Sequence, residues 1–248
     1  MILGLSVSSL IWCTVTLFVA SFVRGYAGFG FTAVLLTGMT HALPLAEIVP
    51  LSIALEVIAS FGQARGIIGD IRWKQLSVLL FTGMIGTPIG VYMLSELPDS
   101  ILQVSGLGFI LTTSFFLIVT QKRPLGVSLW VFALAGFAAG FANGATALSG
   151  LVLGLFFTLT GENAAKMRAT IIAYLFVTDI WTGGILIKSG FYDNLAVTRI
   201  LVALPVLGLG VWLGSLWFES TRPENFRSVV LWILLALSAV GLIVVAIG

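Results

Sequence analysis

Two stretches decide how this chain folds: Arg24-Gly25-Tyr26-Ala27-Gly28-Phe29-Gly30 and Gly140-Phe141-Ala142-Asn143-Gly144-Ala145-Thr146. Each breaks an apolar region with glycine, at Gly25–Gly28 and at Ala142–Ala145. Each is followed by a short apolar run, 29–43 and 145–160. A membrane-spanning helix needs about 20 apolar residues, so both runs fall short of a full span. Outward from them, the remaining apolar runs are 3–23, 45–64, 75–95, 100–120, 126–142, 165–187, 196–218 and 227–247.

The composition explains why so much of the chain is apolar. Of 248 residues, 59% are hydrophobic and 9% charged, with a mean hydropathy of +1.14. A soluble domain carries about 25% charge to keep its surface in water. This chain is therefore solvated by lipid and is expected to be an all-α integral membrane protein. A net charge of only +2 offers no surface for nucleic acid. Cys13, the single cysteine, excludes an internal disulfide and a cysteine-based metal cluster. His41, the single histidine, sits beside a span end near Pro44 and cannot hold a metal without partners, so no metal or cofactor is expected. No nucleophile–base pair or phosphate-cradling motif appears, which argues against an enzyme. The first basic residue is Arg24, so residues 1–23 read as a first span rather than a cleavable signal. No long polar stretch remains for an appended soluble domain.

Counting each break as a boundary gives ten spans; merging across it gives eight. Basic residues favour ten. In that arrangement Arg24, Arg65, Arg72, Lys74, Lys122, Arg123, Lys166, Arg168, Arg222 and Arg227 share one side, leaving Lys188 and Arg199 on the other. Short cytoplasmic loops concentrate Lys and Arg. Both termini are then expected outside the cytoplasm.

The second half echoes the first, with 1–123 and 124–248 as two repeats of one membrane domain. Each has a glycine break near its start. Each then has a small-residue ladder, Gly86-x-x-x-Gly90 and Gly210-x-x-x-Gly214. A proline loop and a final apolar helix close each half. Helix packing alone accounts for the ladders. Five spans per half is an odd number, so the halves insert in opposite orientations, as inverted repeats with short or broken helices at the centre. The two breaks would then dip from opposite faces and line one polar cavity near the midplane, since lipid cannot satisfy non-helical backbone.

These residues resemble the sulfite exporter TauE/SafE family, bacterial and archaeal permeases for sulfite, sulfonates and related organosulfur compounds. The resemblance rests on Gly25-Tyr26-Ala27-Gly28-Phe29-Gly30-Phe31, on Gly136-Phe137-Ala138-Ala139-Gly140-Phe141-Ala142-Asn143-Gly144, on Arg168-Ala169-Thr170 and on Gly210 to Gly214, in that order. The chain departs from the commonest pattern in having Tyr26 and Phe29 where glycine is usual, and Ser149-Gly150 where proline often follows the second break. The resemblance implies a multi-pass permease of the cytoplasmic membrane that carries a small anion, with the bilayer as its other partner. A homo-oligomer is compatible with it. A passive anion channel on the same scaffold is the alternative.

Polar groups inside spans are costly and point to function. Glu56 and Asp179 lie within the third and eighth runs, and the offset that matches Asp70 with Asp193 makes them counterparts. They are candidates for proton coupling, or for structural hydrogen bonds between helices. Candidate substrate-binding residues are Arg24, Gly28, Gly30, Asn143, Gly144, Thr146, Ser149 and Arg168, with Lys166 beside them and free N–H groups where helices restart. Arg24 and Arg168 are equally explained by the charge bias of cytoplasmic ends.

Overall fold

The computed structural model describes residues 3–119, 128–160 and 163–220, with residues 232, 235–236 and 238–243 from the C-terminal stretch. The loop holding Lys122 and Arg123, the repeat boundary at 123–124, the loop holding Arg222 and Arg227, and most of the run 227–247 lie outside these residues.

The apolar runs fold as helices. They are α1 (Val7–Ala27), α2 (Phe31–Met39), α3 (Leu45–Gln63), α4 (Trp73–Glu96), α5 (Asp99–Val119), α6 (Leu129–Thr146), α7 (Ser149–Thr160), α8 (Ala164–Lys188) and α9 (Asn194–Ser220). Residues 238–243 are helical as well. Short polar side chains start some of the longer helices. Ser6 accepts from the Ser9 N–H at 3.1 Å before α1, and Asn163 accepts from the Ala165 N–H at 2.9 Å before α8. Such caps satisfy the donors a helix leaves free at its start.

Helix length does not confirm the expected ten crossings. Among the described residues six helices, α1, α3, α4, α6, α8 and α9, are long and apolar enough to cross a membrane. The nine residues of α2 rise only about 14 Å at 1.5 Å each, against a hydrocarbon core of about 30 Å. The twelve residues of α7 rise about 18 Å. Large apolar side chains such as Phe61, Phe81, Trp130 and Leu134 face outward, as a lipid solvent allows and water would not.

Neither short helix prolongs its predecessor. α2 folds back along α1, where Trp12 Nε1 donates to the Gly38 carbonyl at 2.6 Å and Gly38 packs on Thr16. α7 folds back along α6, where Phe132 near the start of α6 meets Phe156 near the end of α7 at 4.9 Å between rings. The most extensive contacts cross between halves: α9 packs on α1, α6 on α4, and α3 runs antiparallel to α8. The glycine ladders make the first two possible. A Cβ at Gly86 or Gly90 would collide with the carbonyls of Phe137 or Phe141 in α6, and one at Gly214 with the carbonyl of Phe22 in α1. Without an aqueous hydrophobic effect, such close backbone approach is what holds helices together.

Candidate functional site

The first turn falls at Gly28–Gly30, at the far end of its expected break, and the second lies beyond its own. α1 continues through Ala27 and ends at Gly28, with a left-handed φ of 79°; Gly30, φ 89°, precedes α2. α6 continues through Thr146 and ends at Ala147, φ 54°. The expected break at Ala142–Ala145 is thus helix. The reason is that Gly25 and Gly144 serve packing rather than turning. A Cβ on Gly25 would strike the Val211 carbonyl of α9, and one on Gly144 the Thr87 carbonyl of α4. Gly144 therefore belongs to the α4–α6 contact.

The last turn of each long helix carries one buried polar side chain aimed inward. In α1 it is Arg24, which has no exposed surface. Its Nη1 donates to the Gly28 carbonyl and its Nη2 to Ser60 Oγ at 2.6 Å. The first bond satisfies a carbonyl that the end of α1 would otherwise leave free. In α6 it is Asn143, also without exposed surface. Its Nδ2 donates to Asp179 Oδ1 at 2.8 Å and to Thr182 Oγ1 at 2.9 Å, while its Oδ1 accepts from Ser149 Oγ at 2.7 Å.

Glu56 and Asp179 lie between these two residues, on the antiparallel pair α3 and α8. Both are buried. Thr32, in the first turn of α2, donates its hydroxyl to Glu56 Oε1 at 3.0 Å. The two carboxyls are close neighbours. A continuous line of side chains therefore runs Thr32–Glu56–Asp179–Asn143–Ser149, from the start of α2 to the start of α7. Among the described residues, Arg24 Nε, Glu56 Oε2 and Asp179 Oδ2 have no hydrogen-bond partner.

The structure thus brings together Arg24, Glu56, Asn143, Ser149 and Asp179, with Gly28 and Gly30 framing the first turn. Besides Gly144, three further candidates make their contacts away from the two carboxyls. Arg168 sits beyond Arg24 at the end of α1, donating to the Gly25 carbonyl at 2.8 Å and stacking over the Phe218 ring at 4.3 Å. There a cation also complements the negative end of the helix dipole. Thr146 bonds its own helix at the Ala142 carbonyl and faces an apolar cavity of about 480 Å³ between α4, α5, α6 and α7. Lys166 is exposed. His41 packs edge-on against Trp12 at 5.8 Å.

Among the described residues the side chains of the two breaks meet each other directly. An open space of about 480 Å³ adjoins them between α3, α8 and the start of α9, with Asp179 on an otherwise mostly apolar wall. Thr32, Ser60 and Thr182 complete the cluster and were not among the sequence candidates. Two of them carry a readable signal: Ser60 stands four residues after Glu56 and Thr182 three after Asp179, which is the same helix face.

A chain whose described residues fold as helices, with lipid-facing apolar surfaces, reversed short helices and a buried ionic cluster, is a multi-pass membrane protein of the transporter type. The sequence model of the family "Sulfite exporter TauE/SafE" matches residues 13–241, and the chain belongs to that family. It is accordingly a membrane transport protein for a small anion such as sulfite. Neither a curated protein nor a solved structure matches the chain.

Proposed function

We propose that this protein is a secondary transporter that moves a small organosulfur anion, sulfite or a sulfonate, across the cytoplasmic membrane with proton coupling. The observation that carries the reading is Arg24: a fully buried guanidinium, placed where α1 ends and α2 begins, whose hydrogen bonds go to neutral oxygens. A buried charge is expensive unless it is balanced. Arg24 lies in the field of Glu56 and Asp179. With an anion at the start of α2, the guanidinium and the free N–H groups there would supply both charge and donors. Asn143 and Ser149 would orient Asp179 from the other break, and Glu56 and Asp179 would carry the proton.

The cross-packing of the helices supports two inverted repeats, 1–123 and 124–248. If α1 to α5 correspond to α6 to α9 plus a tenth helix, then the pairing α1 with α9 is the counterpart of α6 with α4, and α3 with α8 is its own counterpart. The site is shut off from solvent, which favours alternation between two openings over a standing pore. The decisive measurement is flux of sulfite and of methanesulfonate into proteoliposomes, with and without an imposed pH gradient. Accumulation that follows the gradient is expected. Flux that ignores the gradient and saturates at no concentration would replace the transporter with a channel.

A further inference from the structure

Glu56 occupies the position an anion would take. Its Oε1 receives the Thr32 hydroxyl at 3.0 Å, in the first turn of a nine-residue helix whose N-cap, Gly30, gives the first N–H groups no side-chain acceptor. Those N–H groups are the natural seat for a negative group. We infer that Glu56 is a resident stand-in for the substrate, and that the incoming anion displaces it from the start of α2 only as the Glu56–Asp179 pair takes up one proton. The inference rests on the transporter reading above and specifies how its coupling works.

Charge balance carries the argument. The groups facing Glu56 are Arg24 from α1, Thr32 from α2, and Asp179 from α8, with Asn143 of α6 behind Asp179. From α9 the nearest cation is Arg199, which is paired with Glu47 at the opening turn of α3 and so does not serve Glu56. Among the described side chains α5 brings no charge to this face. Two adjacent buried carboxylates repel each other, and Arg24, buried beside them, balances only one, so the pair holds one proton and carries one negative charge to Arg24's positive one. A buried cluster far from neutral is costly. A monovalent anion entering beside Arg24 therefore requires that the pair's remaining charge be neutralised. The balance is one carboxylate and one proton giving one carboxylic acid; no bond of the substrate changes. The unpartnered Glu56 Oε2 and Asp179 Oδ2 provide somewhere for the displaced, protonated carboxyl to go: an acid donating to its neighbour's free oxygen.

The test measures binding and proton uptake together. Methanesulfonate, whose charge is constant over the working range, is added to purified, weakly buffered wild-type protein with a pH-indicating dye. The same is done for Glu56→Gln and for Glu56→Gln/Asp179→Asn. Competition requires about one proton taken up per anion bound by the wild type. It also requires the double variant to bind at least about tenfold tighter at neutral pH, with no uptake, because the stand-in's charge is gone. Binding by the wild type without proton uptake, or weaker binding by the double variant, would overturn the inference and leave the transporter reading in place. No binding by any of the three proteins, repeated with sulfite, would overturn both. Should the double variant not fold, the wild-type proton count decides alone.

Discussion

The two breaks solve one backbone problem with different side chains. Each ends a long helix with a left-handed residue, Gly28 or Ala147, and starts a short helix that folds back. Each has a packing glycine two residues before the helix end, Gly25 and Gly144. Each has a fully buried polar residue three before it, Arg24 and Asn143. That residue is a cation in one half and a neutral amide in the other. Asn143 meets all its neighbours as a hydrogen-bond partner and leaves nothing over. Arg24 brings a charge that its partners, a carbonyl and a hydroxyl, cannot neutralise. On the reading proposed above, the difference puts the anion at the first break and leaves the second to hold Asp179 in place.

The largest expected effect separates the two residues. Arg24→Gln removes the only buried cation of the cluster, and methanesulfonate affinity should fall roughly a hundredfold, the loss of a charge-assisted contact worth about 3 kcal/mol. Asn143→Ser leaves Arg24 and the start of α2 intact, and should lower affinity by less than about tenfold while slowing proton-coupled flux. Anion-dependent thermal stabilisation of each purified variant reports both. Equal losses in the two variants would mean that the breaks share the substrate, and the asymmetry would be abandoned.

Packing should show the opposite pattern, with the two halves behaving alike. Gly25→Val and Gly144→Val each drive a branched side chain into a neighbouring carbonyl, of Val211 or of Thr87. Rigid backbone cannot yield as a flexible side chain would, so each variant should lose at least about 1–3 kcal/mol, the range for overpacking. Gly62→Ala, which meets nothing within 4 Å near the end of α3, should be unaffected or slightly stabilised by its helix propensity. Monodispersity in detergent and thermal midpoints would show it. A tolerated Gly144→Val beside a ruined Gly25→Val would break the equivalence of the two crossings.

How much of this was legible depends on what each residue type says without its neighbours. A carboxylate in an apolar run has few structural excuses, so Glu56 and Asp179 could be singled out and matched across the halves before any geometry was known. Arg24 carried two readings, because a basic residue near a span end also obeys the charge bias of cytoplasmic loops. Glycine is ambiguous in another way. Gly25 and Gly144 looked like hinges and are packing surfaces, while the second turn is made by Ala147, which no composition rule marks. The short runs after each break were visible, but their reversal onto α1 and α6 depends on contacts such as Trp12 with Gly38, far apart in sequence. Thr32 gave no signal, since a threonine one residue inside a helix is ordinary until a carboxylate from α3 arrives beside it.

The smallest effect concerns the turns themselves. A left-handed residue with a side chain costs about 1–2 kcal/mol. Gly28 avoids that cost, and its replacement by Ala adds a second one, because the new Cβ would lie 2.6 Å from Arg168 Cγ. That side chain is held by the Gly25 carbonyl and the Phe218 ring, so it yields at some expense. Gly28→Ala should therefore lose about 2 kcal/mol. Ala147→Gly works the other way: it relieves about 1–2 kcal/mol of strain. Against this, it gives the unfolded chain more freedom, about 0.4–1 kcal/mol, and removes a buried methyl worth about 0.8 kcal/mol; Ala147 is only 3% exposed. The terms nearly cancel, and the variant should stay within about 0.5 kcal/mol of the wild type. Thermal midpoints in one detergent, read side by side, make the comparison. If Ala147→Gly costs as much as Gly28→Ala, the second turn is held by the packing of its methyl group rather than strained by its backbone, and the two turns are alike only in their dihedral angles.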